Sequence, residues 1–218
     1  MNDASDTTEP SKPRLRGYIH QEAFFFALGA GLLLILRAKS PLAQLSCSIY
    51  TVCLLTMFGV SATYHRIQWQ PRARRLMKRL DHSAIFISIA GTMTPFVLLA
   101  VPETSQAKLI SLVWLVALAG VLQSTIWIGA PKWFGAVLYV IAGWTLFPYL
   151  GDMAHAMGSQ GIALIISGGL VYSLGAVVYA LKAPRLFPKT FGYHELFHLL
   201  TIIAATLHFI AVYRLTAA

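Results

Sequence analysis

The stretch FGYHELFHLLTIIAATLHFIAVY, residues 191–213, decides the fold. It contains no Lys, Arg or Asp, and Glu195 is its one acid. A helix crossing the ~30 Å hydrocarbon core of a bilayer takes about 20 such residues. The run is continuously apolar rather than alternating, which selects a helix over a barrel strand. Its few polar groups are unusual for a span. His194 and His198 stand at i and i+4, so both imidazoles fall on one helix face, one turn apart.

Working outward, the same kind of stretch recurs at about 18–36, 42–64, 82–101, 108–128, 133–150 and 161–181. With 193–213 that predicts an all-α membrane protein, a seven-transmembrane helix bundle forming one domain over 13–218. Residues 1–12 are expected to be a disordered polar tail, carrying Asp3, Asp6 and Glu9. Composition agrees. Of 218 residues 57% are hydrophobic and 11% charged, against roughly 25% charged in a soluble domain. A soluble enzyme is excluded. The first span is too long for a signal-peptide core, and no small-residue cleavage site follows it.

The net charge of +9 invites a nucleic-acid reading, and its distribution removes that reading. With the N-terminus inside, the inner segments hold Lys12, Arg14, Arg16, Arg66, Arg72, Arg74, Arg75, Lys78, Arg79, Lys132, Lys182, Arg185 and Lys189. The outer segments hold Arg37, Lys39, Lys108 and Arg214. An excess of inner cations orients membrane proteins, so the N-terminus is expected in the cytoplasm and the C-terminus outside. The run Arg72–Arg79 reads as a short surface helix touching anionic lipid. Cys47 and Cys53, six residues apart on one span, are too distant for a mutual disulfide. Gly29, Gly31, Gly168, Gly169 and Gly175 are expected at close helix contacts.

Ionisable groups inside spans mark function by default. In this topology His65 ends span two, Asp81 begins span three, and His194 and His198 begin span seven. All four therefore reach the cytoplasmic face. Two imidazoles from one helix and a third from His65 match the three-ligand pattern of a catalytic zinc site. Asp81 could hold or deprotonate the bound water. Ser61, one turn before His65, could donate to that water or to a substrate carbonyl.

Residues 194–198 also match H-E-x-x-H, in which the glutamate is the base, so Glu195 competes with Asp81 or else snorkels to the interface. His82, about 100° round the helix from Asp81, caps or pairs. His20 and Glu22 contact the site from a neighbouring helix or serve structure alone. His208 is too far along span seven to share the metal, and His155 is a solvated loop residue.

Several blocks resemble a known family. They are Ser61-Ala62-Thr63-Tyr64-His65, Leu80-Asp81-His82-Ser83-Ala84-Ile85, Ala90 to Phe96, and Phe191 to His198, followed by His208-Phe209 and Ala211-Val212-Tyr213. They look like the hallmark blocks of the bacterial hemolysin III proteins, within the progestin and adipoQ receptor superfamily. The resemblance implies seven helices, a cytoplasmic N-terminus and Zn2+ near that face, held by His65, His194 and His198, with Asp81 and Ser61 beside the water. It implies a bacterial inner membrane location and membrane lipids as partners, with a lipid substrate or ligand inside the bundle. Eukaryotic relatives are lipid-responsive receptors with ceramidase activity proposed for some. Residues 15–22 depart from the family's paired acids before Thr-His.

Three functions are weighed on this basis. The first is a zinc-dependent intramembrane hydrolase of a lipid amide or ester, ceramidase-like. The second is a non-enzymatic sensor or homeostasis regulator with structural zinc. The third is a pore, which polar positions clustered at one end support poorly.

Overall fold

The computed structural model describes residues 13–184, 186–187 and 189–216. The polar tail expected over 1–12 lies outside these. The chain is an all-α membrane protein. Its helices are α1 (Tyr18–Arg37), α2 (Pro41–Arg66), α3 (Pro71–Ala100), α4 (Glu103–Ile126), α5 (Lys132–Gly143), α6 (Leu150–Leu181) and α7 (Tyr193–Leu215), with a 3-10 turn at Phe147–Tyr149. Among the described residues six helical stretches are long and apolar enough to cross a membrane: α1, α2, α3, α4, the stretch Lys132–Leu181, and α7.

Three expected elements differ. The stretch 133–150 is not one helix. α5 has 12 residues, fewer than the ~20 a crossing needs. Pro148 lacks the N–H that would bond the Trp144 carbonyl. Phe147 donates to that carbonyl instead, at 2.9 Å, in a 3-10 turn. The expected outer connection 151–160 is helical as the start of α6, which breaks at Gly158 (φ 64°, ψ 176°). The run Arg72–Arg79 is not a separate surface helix either. Pro71 opens α3, where its fixed φ suits a first helical turn, and no Gly or Pro follows before Gly91. The basic turns and the apolar span are one 30-residue helix.

α3 is the most enclosed helix and α1 the least. α3 packs on α2, α4, α5, α6 and α7, while α1 packs on α2 and α7. In lipid the hydrophobic effect does not drive helices together, so close packing at small residues must. Gly31 abuts Thr51, Gly91 abuts Cys53, and Gly168 abuts His208 so closely that an added Cβ would lie 2.2, 2.3 and 2.4 Å from them. Gly29, expected at a contact, faces open space. Cys47 and Cys53 are free and buried. Phe26 and Ile126 are 80% exposed; large apolar side chains turned outward are what a bilayer would cover.

Candidate metal centre

The site sits where α2 ends and α7 begins. His65 is the penultimate residue of α2. His194 is the second residue of α7, and His198 follows one turn later. The start of α7 is pinned by Glu195. Its Oε2 accepts from the Gly192 N–H at 2.8 Å, satisfying an orphan donor at the helix start. Its Oε1 accepts from Arg16 Nε. Arg14 and Leu15 N–H donate to the Lys189 and Thr190 carbonyls at 3.0 and 3.2 Å, so the segment before α1 is tied to the loop before α7.

This framework brings the three expected histidines together. His65, His194 and His198 each offer a ring nitrogen, and the three lie within 4.8 Å of one another. The His65 and His194 Nε2 atoms are 3.0 Å apart. Zinc at roughly 2.0–2.1 Å from tetrahedral nitrogens spaces them by about 3.4 Å, so the donor set fits a zinc ion with a fourth position left over. Asp81, 9% exposed, places Oδ2 3.8 Å from His65 Nε2. Ser61 is buried and lines the same cavity as Asp81.

His20 joins the group. Its ring stacks on His198 with centroids 3.8 Å apart and 4° between planes. Both its nitrogens are buried without a hydrogen-bond partner. Glu22 does not join: it is exposed and, among the described residues, meets the Gln21 amide at 3.4 Å. Glu195 is 1% exposed and does not snorkel; both oxygens are engaged. His82 is half-buried and lines the cavity beside the site. His155 is exposed on the first turns of α6.

The cluster opens into a cavity of about 360 Å³. The cavity runs from His194 and His198 inward to Phe96, Ile165, Tyr172 and His208. His198 and His208 are ten residues apart, about 15 Å along α7. His208 Nε2 lies 3.1 Å from the Ile165 carbonyl oxygen, which anchors the ring at the inner end. The lining is mostly apolar with a few convergent polar groups, the usual character of a small-molecule site.

The Haemolysin-III related family model matches residues 8–209. The chain belongs to that family. Relatives of this haemolysin-III-related chain include Hemolysin-3 of Bacillus cereus, 26% identical over 196 residues, covering 88% of this chain and 86% of the relative. The human monocyte to macrophage differentiation factor is 25% identical over 170 residues, 76% and 68% of the two chains. The Drosophila melanogaster adiponectin receptor protein is 29% identical over 195 residues, 75% of this chain and 41% of the receptor. These place the family in the progestin and adipoQ receptor superfamily.

Sequence reasoning missed several residues of this haemolysin-III-related site. Lys132, one inner charge among many in the sequence, lines the cavity with Lys78 and Tyr179. Arg16, another such charge, holds Glu195. No spacing rule links residue 16 to residue 195. Only the packed bundle does.

Proposed function

We propose that this chain is a zinc-dependent hydrolase of a lipid amide or ester, set in the bacterial inner membrane. In this reading it crosses the membrane seven times, N-terminus in the cytoplasm and C-terminus outside. The fifth crossing is the broken stretch beginning with α5, and the sixth is α6 beyond Gly158. The single observation that carries the reading is the juxtaposition of three imidazole nitrogens and the Asp81 carboxylate at the head of a mostly apolar cavity.

His65, His194 and His198 would hold the ion. Zinc supplies Lewis acidity, polarising a carbonyl and making water acidic near neutral pH. The chain's own residues supply the rest. The apolar cavity binds the acyl chain and excludes bulk water from the reacting end. Asp81 Oδ2 takes a proton from the water that attacks the carbonyl and returns it to the departing amine or alcohol. The Ser61 hydroxyl orients that carboxylate. Glu195 has both oxygens engaged, by Arg16 and by the Gly192 N–H, and pins α7 instead.

The test is hydrolysis of N-acyl and O-acyl lipids by purified protein with a measured zinc content. Wild type should carry one zinc per chain and turn over lipid. Asp81→Asn should keep zinc and lose turnover. Normal zinc stoichiometry in a His194→Ala/His198→Ala variant would sink the ligand assignment. Zinc-loaded wild type that consumes no lipid would return the chain to the sensor reading.

A further inference from the structure

We propose that the lipid entering this cavity carries an oxyanion at its head, held by Lys78 and Lys132 beside the histidine cluster. The proposal rests on the reading of the cavity as a lipid site and adds the charge of its ligand. Both lysines line the same cavity as His65, His194 and His198.

Lys132 is not a loose surface charge. Its Nζ donates to the Tyr193 hydroxyl at 2.9 Å. It also lies 4.6 Å from the ring centroid of Tyr179 and 5.0 Å from that of Tyr193. Two aromatic rings and a hydrogen bond hold the ammonium in place, so little side-chain entropy remains to be lost on binding. Lys78 is half-buried, and its Nζ donates to the Ile128 carbonyl at 3.3 Å. Lys132 is bonded to the residue that precedes His194, and both lysines share the cavity lining with His82 and His194.

Their charge is not matched. The ion pairs among the described residues are Arg16–Glu195 and His65–Asp81, and neither includes a lysine. Glu195 is taken by Arg16, leaving one carboxylate, Asp81, against two ammonium groups at this end, before any metal charge. A half-buried cation without a counter-ion is costly, and an anion placed beside it relieves that cost. Lys132 is also the first residue of α5, which has no side-chain cap, so the positive end of that helix favours the same anion. The apolar remainder of the cavity fits an acyl chain. An oxyanion on an acyl chain can be a phospholipid phosphate or a fatty-acid carboxylate.

The test is lipid titration of the purified full-length chain in detergent, with binding read from the thermal midpoint. The probes are phosphatidylglycerol, palmitate, phosphatidylcholine and a neutral ceramide. At least one anionic probe should bind about tenfold tighter than the last two, as two charge-assisted contacts allow. Preference for phosphatidylglycerol alone assigns the phosphate, and preference for palmitate alone the carboxylate; either supports the proposal. Lys78→Gln/Lys132→Gln should abolish the difference, and Lys78→Arg/Lys132→Arg should keep it. Arg72→Gln/Arg75→Gln, on the exposed face of α3, should leave it intact. If the double glutamine variant does not fold, each single variant should keep only part of the wild-type preference.

Equal binding of neutral and anionic lipids overturns the proposal. So does a preference that survives loss of both lysines, or one lost with Arg72 and Arg75. Binding is read without turnover, so the two readings fail separately. The expected preference without hydrolysis removes only the hydrolase. Hydrolysis of ceramide without any preference removes only the oxyanion site.

Discussion

The imidazole of His20 lies flat on that of His198, 3.8 Å between centroids and 4° between planes. His20 approaches from α1, the least enclosed helix, and gives the histidine cluster a wall that neither α2 nor α7 supplies. Groups that orient metal ligands typically change metal affinity 10–100-fold when removed. His20→Ala is therefore expected to weaken zinc binding by about tenfold, measured by competition with a chelator. His20→Phe keeps a flat ring against His198 and should retain most of the affinity. Equal loss in both variants would show that a ring nitrogen, not the stack, is what matters.

Arg16 and Glu195 make a second prediction. Glu195 is buried and bonded to both Arg16 and the Gly192 N–H. Removing one member of a buried pair costs about 3–5 kcal/mol, because the other charge stays behind. Arg16→Ala should lower the thermal midpoint sharply. Glu195→Gln can still accept from Gly192 and should be the milder change. If Glu195→Gln instead folds normally, keeps its zinc and loses all turnover, the base is Glu195 and not Asp81.

Gly168 tests the inner end of the cavity. A Cβ there would meet the His208 ring at 2.4 Å, and that ring is anchored to the Ile165 carbonyl. Gly168→Ala should cost about 1–3 kcal/mol by overpacking and shift His208 into the cavity. Gly29→Ala, with nothing within 4 Å of its Cβ, is the matched control and should leave the melting midpoint unchanged or slightly raised, since Ala is the better helix former.

Much of this was legible in the sequence because membrane spans and helix faces are local signals. The 3.6-residue period alone put His194 and His198 together, and the matching depths of His65 and Asp81 followed from the lengths of the spans. What was not legible depended on contacts between distant segments. Glu22 and His20 are two residues apart, so the sequence offered both; the facing of α1 admits His20 and turns Glu22 outward. Gly29 and Gly31 likewise look alike in sequence, and only the second meets a neighbour. The break in the fifth stretch was locally encoded by Pro148, but hydropathy averages over a proline. The lysines that line the cavity were hidden because an inner cation that sets topology and one that lines a site look the same in a linear count.

Metal removal gives the last prediction. α2 packs on α1 and α3, and α7 packs on α1, α3 and α6. The pair His65–His194, with nitrogens 3.0 Å apart, is where α2 and α7 meet directly. An ion shared there cross-links two helices that otherwise communicate through their neighbours. A ligand that binds only the folded state stabilises it by about 4 kcal/mol at 1,000 times its Kd. Chelation of purified protein should therefore lower the thermal midpoint by several degrees, and added zinc should restore it. His65→Ala/His194→Ala should start from the lowered midpoint and respond to neither treatment. A chelator-induced drop of the same size in that variant would place the stabilising metal elsewhere in the chain.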